Sequence, residues 1–267
     1  MTMFETLFSL DGKVAVVTDC EGLLRNEVAR TLAGAGARVV IADRDADAIA
    51  KLAQEIDPQG ERATAIVTDI EVEASVVALF NTVQERFGRL DILVNCAGVT
   101  TVQPLTETTL EQWDICHSVN LRATFLCMRE AVKCMVAAGN GGRIVTTTTV
   151  GATHPVLHGT EAYGSSRAGV TQLTKTTALD YARQGITANV IMPGFIMGHA
   201  RVLPETLAGV LDGSRPLTGP GRDEERRLLL GYGDIRDIGA AVLFLVGPSG
   251  GFITGQSLIM DGGFSVS

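Results

Sequence analysis

Short runs of β-branched and apolar residues alternate with amphipathic stretches along the whole chain. This alternation restricts the fold more than any other feature. The strand-like runs are 13–18, 38–42, 63–67, 90–94, 143–148, 186–192 and 257–260. The helix-like stretches are 23–35, 45–56, 71–87, 110–138 with a bend near His117, 162–183 and 237–246. Strands separated by helices predict an α/β protein: a doubly wound parallel sheet of seven strands, helices on both faces, one domain over residues 1–267. Right-handed crossovers place the ligand crevice at the carboxyl ends of the strands. Segment 198–233 has no clean period and carries Pro204, Pro216 and Pro220, which suits a lid over substrate or a partner-binding segment.

The first strand and its turn, Val14-Ala15-Val16-Val17-Thr18-Asp19-Cys20-Glu21-Gly22-Leu23-Leu24-Arg25, pass abruptly into a helix carrying Val28, Leu32 and Ala35. Such a turn is where a dinucleotide's pyrophosphate sits, on free N–H groups and the positive end of the helix dipole. Glycine normally permits this approach because it has no Cβ. Here only Gly22 remains.

Composition excludes several classes. Hydrophobic residues make up 46% of the 267 positions but aromatics only 5%, the small aliphatic core of a sheet covered on both faces. A net charge of −8 gives no footprint for nucleic acid or an anionic membrane. No membrane span or signal peptide is read, and the five cysteines form no CxxC pair, so a cytoplasmic location with reduced thiols is expected. Cys127 and Cys134 should share one packed helix surface. The four histidines show no ligand spacing with the cysteines, and no metal is expected.

Further motifs fall in a fixed order: Leu10-Asp11-Gly12-Lys13-Val14-Ala15-Val16-Val17-Thr18, Asp69-Ile70, Asn95-Cys96-Ala97-Gly98, Val119-Asn120, Tyr163, Pro193-Gly194 and Asp261-Gly262-Gly263. In this order and spacing the chain resembles the classical short-chain dehydrogenase/reductase family over nearly its full length. The resemblance implies a Rossmann-like fold and hydride transfer between a nicotinamide cofactor and an alcohol or ketone. It places cofactor contacts at Asp19, Gly22, Leu23, Leu24, Arg25, Asp43, Asp69, Ile70, Asn95, Ala97, Gly98, Pro193 and Gly194, and catalysis at Asn120, Thr149, Tyr163 and Arg167. It also implies homo- or hetero-oligomers through helices 110–138 and 162–183.

The departures from that family are chemical. In the family's TGxxxGxG turn the glycines are replaced by Asp19, Leu23 and Arg25. Asp19 and Glu21 add negative charge beside a doubly anionic group; like charges about 4 Å apart cost roughly 1–4 kcal/mol. Either carboxylate could cap the helix in place of phosphate, or Arg25 could restore affinity by pairing with the pyrophosphate. Asp43 stands where a carboxylate accepts ribose hydroxyls, favouring NAD over NADP, with Arg44 acting against this. Asp69 and Ile70 flank an adenine or simply end a strand. Thr149 replaces the catalytic serine, and Arg167 the lysine four residues after Tyr163. A phenol with an ordinary pKa of about 10 needs a nearby cation to work near neutral pH. Arginine keeps the charge but cannot relay a proton. Asn120 serves catalysis or holds a helix kink; His154 and His158 bind substrate or are solvated loop residues.

These departures lead with a degenerate oxidoreductase: impaired or lost NAD binding, a weak or inactive pseudoenzyme subunit associating with itself or an active homologue. The alternatives are an active NAD-dependent alcohol dehydrogenase or ketone reductase, and a non-redox enzyme in the same pocket.

Overall fold

The computed structural model describes residues 2–18, 22–197, 218–220 and 228–267. The strands are β1 (Val14–Thr18), β2 (Arg38–Asp43), β3 (Ala63–Val67), β4 (Ile92–Asn95), β5 (Gly142–Thr147), β6 (Ile186–Pro193), β7 (Ile196–Met197), β8 (Gly233–Asp234) and β9 (Ser257–Met260). The helices are α1 (Met3–Phe8), α2 (Leu23–Gly34), α3 (Ala46–Ile56), α4 (Glu73–Phe87), α5 (Leu110–Cys116), α6 (Ala123–Ala138), α7 (Glu161–Tyr181) and α8 (Ile235–Val246). Seven strands form one parallel sheet in the order β3-β2-β1-β4-β5-β6-β9. This is the doubly wound, Rossmann-like sheet anticipated from the alternation. Strand order reverses between β1 and β4, so the crevice opens there, at the strands' carboxyl ends.

Strand periodicity divides the core into two layers. Val14 and Val16 point to one face, where β4 adds Leu93 and β5 Ile144; α4 covers them with Val76, Leu79 and Phe80, and α6 with Leu126 and Met135. Ala15 and Val17 point to the other, joined by Ile41 and Val94, under Val28 and Leu32 of α2, Ile49 of α3 and Val242 of α8. All five residues of β1 are buried, which explains its unbroken apolar run. The helices that cover the layers start on side-chain caps where the chain supplies them. Asp45 accepts from Ala48 N at 2.9 Å, and Thr109 with Gln112 forms a capping box.

The bend expected near His117 is a π-helical turn, His117–Arg122, between α5 and α6. Two elements were not read from the sequence, α1 and the short β7–β8 pair. The latter ties the two ends of segment 198–233 together through Ile196↔Gly233 and Met197↔Asp234. Residues 198–217 and 221–227 of that segment lie outside the described residues.

Candidate functional site

The helix after the first turn begins at Leu23, with Gly22 at its cap position and at φ +88°, a backbone region glycine tolerates and other residues rarely adopt. Asp19, Cys20 and Glu21 lie outside the described residues, and with them the expectations about their charges and capping. Leu23 is half-exposed, and Leu24 packs against the α2-side core.

Arg25 is 2% exposed, and its guanidinium forms an ion pair with Asp43 at the carboxyl end of β2. Its Nε and Nη2 also donate to Asn26 Oδ1 at 3.2 and 3.1 Å. The charge of Arg25 is matched inside the protein by Asp43. Besides Arg25, the Asp43 carboxylate accepts Asp45 N at 3.1 Å. A buried carboxylate needs a cation or donors, and Arg25 is long enough to reach it from the first turn of α2.

Asp69 forms a turn before α4, its N–H donating to Ser75 Oγ at 3.0 Å and its Oδ1 accepting Glu71 N at 3.0 Å. Ile70 is 5% exposed within the α4-side core. Its side chain packs into that core. Asn95 links three neighbouring strands, accepting from Thr18 Oγ1 at 3.3 Å and donating to Thr146 Oγ1 at 3.2 Å. At the far side of the sheet, Gly194 N donates to Met260 O at 2.9 Å, and a Cβ at 194 would come within 2.7 Å of the Asp261 Cβ. Pro193 and Gly194 thus let the end of β6 close onto the Asp261 turn.

The presumed catalytic residues gather around the start of α7. Asn120 is fully buried on the π-helical turn; its Oδ1 accepts Val99 N at 2.8 Å, and its Nδ2 donates to Val99 O and Ser166 Oγ, both at 2.9 Å. Its amide holds the loop after β4 to the start of α7. Thr124 Oγ1 caps the Asn120 carbonyl at 2.7 Å. Ser166 donates to Tyr163 O at 2.7 Å and so ties the first turn of α7 to Asn120. Sequence reasoning missed Ser166; its place directly before Arg167 was the available signal.

Arg167 is 4% exposed, with Nη1 donating to Ala97 O at 2.9 Å and Thr147 O at 3.4 Å. Its guanidinium carbon lies 5.4 Å from the Tyr163 ring centroid, so the cation does stand beside the phenol. A methyl group on residue 98 would overlap Arg167 Nη2. Gly98 is therefore what admits the bulkier cation. Arg167 Nε is buried without a hydrogen-bond partner. Thr149 Oγ1 accepts Gly151 N at 3.1 Å, capping a short 3-10 turn. His154 is exposed with Nδ1 2.9 Å from Thr153 Oγ1, and His158 is exposed and lines a separate cavity of about 450 Å³ with Glu161 and Ser165.

Cys127 is fully buried and its thiol is pushed up to about 12 by burial. Cys134, on the same helix, is only partly buried, so the two share a face unequally. Among the described residues no cluster of His, Cys, Asp or Glu could hold a metal ion, and no helix is long and apolar enough to cross a membrane.

These contacts bear on a dinucleotide. The ribose carboxylate is already bonded, an arginine fills the third glycine position, and a second arginine crowds Gly98.

Comparison with known proteins places the fold and the motifs together. Residues 25–265 match a family model described as Enoyl-(Acyl carrier protein) reductase. D-threitol dehydrogenase of Mycolicibacterium smegmatis is 32% identical over 263 residues, covering 97% of this chain and 95% of that one. The chain belongs to the short-chain dehydrogenase/reductase family. Within it, galactitol 2-dehydrogenase (L-tagatose-forming) of Cereibacter sphaeroides is 31% identical over 268 residues, covering 98% of this chain and 99% of that one. A short-chain dehydrogenase/reductase crystal structure from Mycobacterium marinum superposes with a TM-score of 0.85 at 28% identity, each chain covered in full.

Proposed function

We propose that this family member is an oxidoreductase-derived subunit whose nicotinamide groove is filled by its own side chains, so that it turns over alcohols weakly or not at all by itself. The observation that carries this reading is the buried Arg25–Asp43 ion pair, which occupies the carboxylate a ribose would need. Crowding of Gly98 by Arg167 adds to it at the nicotinamide end. In this reading the subunit associates with a second copy or with an active homologue through α6 and α7. Phe125, Val132, Val136, Leu173 and Tyr181 there line an apolar groove of about 500 Å³. Leu179 nearby is 79% exposed. The test is calorimetric titration of the pure protein with NAD, NADH, NADP and NADPH. Millimolar or absent binding is expected; micromolar binding of any of them overturns the proposal.

A second reading has its own support: the Arg167 guanidinium stands beside the Tyr163 ring, with Thr149 and Asn120 in the family's positions. In that reading Asn120, Thr149, Tyr163 and Arg167 serve an active NAD-dependent enzyme, and Arg25 releases Asp43 when cofactor enters. The relatives named for D-threitol and galactitol point to small polyols as its alcohols. Cofactor-dependent oxidation of either polyol by the pure protein would favour it.

A further inference from the structure

We propose that the foot of the sheet, at the amino ends of β1, β4 and β5, binds a small phosphate-class dianion. β5 is six residues long, so this site lies roughly 20 Å from the crevice, at the opposite ends of the strands. A cavity of about 220 Å³ opens there between Lys13, Asp91, Asn140 and Arg143, walled on one side by Leu10 and Pro248.

The charges at this foot do not balance. Arg89 takes Asp91 in a fork, Nη2 to Oδ1 at 2.6 Å and Nε to Oδ2 at 2.8 Å, and Val14 N donates to the same carboxylate at 2.9 Å. Lys13 reaches Asp91 only at 3.5 Å and stays 45% exposed. Arg143 has no carboxylate partner among the described residues. Its Nη1 donates to the carbonyls of Gly142 at 2.9 Å and Gly185 at 3.3 Å, and its Nε is buried with no hydrogen-bond partner. Arg89 and Lys13 therefore share the Asp91 carboxylate and Arg143 stands beside them without one, in a chain whose net charge is −8.

A half-buried guanidinium without a counter-charge loses hydration and recovers here only two carbonyl hydrogen bonds; burial pushes the Arg143 pKa below the usual arginine value. Arg143 lines this cavity, and a guanidinium donates to the oxygens of a tetrahedral oxyanion; Lys13 adds a point charge on the same cavity. A carboxylate offers fewer oxygens and one charge, so phosphate chemistry suits the Lys13 and Arg143 pair better.

The probe is inorganic phosphate, titrated calorimetrically into the full chain at constant ionic strength, with chloride as the balancing anion. Saturable one-to-one binding is expected. Arg143→Gln and Lys13→Gln should each weaken it at least tenfold, and Arg143→Lys should recover only part of the loss. Lys13→Gln changes a half-exposed side chain, so it keeps the test open should Arg143→Gln fold poorly. No saturable heat above the chloride control overturns the proposal. Saturable binding that both glutamine variants retain unchanged also overturns it, since the anion would then sit elsewhere.

Discussion

Asp43→Asn asks whether the buried ion pair is a fixed part of the fold. Arg25 and Asp43 keep only 3% and 6% of their side-chain surfaces exposed. Losing the carboxylate strands a guanidinium in a poorly solvated site, and breaking a buried pair from one side costs about 3–5 kcal/mol. Asn26 Oδ1 still accepts two of the guanidinium N–H groups, so about 3 kcal/mol is the better expectation. For a domain of this size that corresponds to a fall in melting temperature of about 6–12 °C. Replacing both partners by apolar residues, Arg25→Met with Asp43→Leu, should return stability to within about 1–2 kcal/mol of the parent, because no charge is left buried. Urea unfolding of the parent, Arg25→Met, Asp43→Leu and their combination supplies the cycle, with Asp43→Asn measured beside it. A cost below about 1 kcal/mol for Asp43→Asn would refute the reasoning. The pair would then be loosely held, and Arg25 free to give way to a cofactor.

Restoring the turn with Asp19→Gly, Leu23→Gly and Arg25→Gly together should raise NADH affinity in a fluorescence titration; no gain would mean that the groove is closed elsewhere, with Arg167 next in line. Gly98→Ala should destabilise by about 1–3 kcal/mol through overlap with Arg167, and adding Arg167→Lys should recover part of that, both read by thermal melts. Asn120→Ala strips the Val99 N–H and C=O of their buried partner and should cost about 2–4 kcal/mol in urea unfolding. Burial raises the Asp91 pKa, but bonds from Arg89 and Val14 and the charges of Lys13 and Arg89 outweigh it, leaving the carboxyl below its ordinary 3.8. Its stabilisation is then full above that value and lost as pH falls through the depressed one, so the stability gap between the parent and Asp91→Asn should close in acid.

The alternation of apolar runs with amphipathic stretches was enough to set the sheet, its parallel sense and the side on which the crevice opens. Each strand buried on both faces must read as a continuous apolar run, and each crossover helix must carry one apolar stripe, so the pattern is written locally. The bend at His117 was legible for a similar reason. Partnerships between distant residues were not. Arg25 and Asp43 are 18 positions apart, and Arg167 meets a carbonyl 70 positions away. In the sequence Arg25 reads as a partner for phosphate, and Ile70 as an adenine neighbour or the end of a strand; neither the Asp43 pair nor the core place of Ile70 is written locally. What decided both was which groups the folded sheet brings within reach, because a long side chain takes the nearest counter-charge and an apolar one the nearest dry surface.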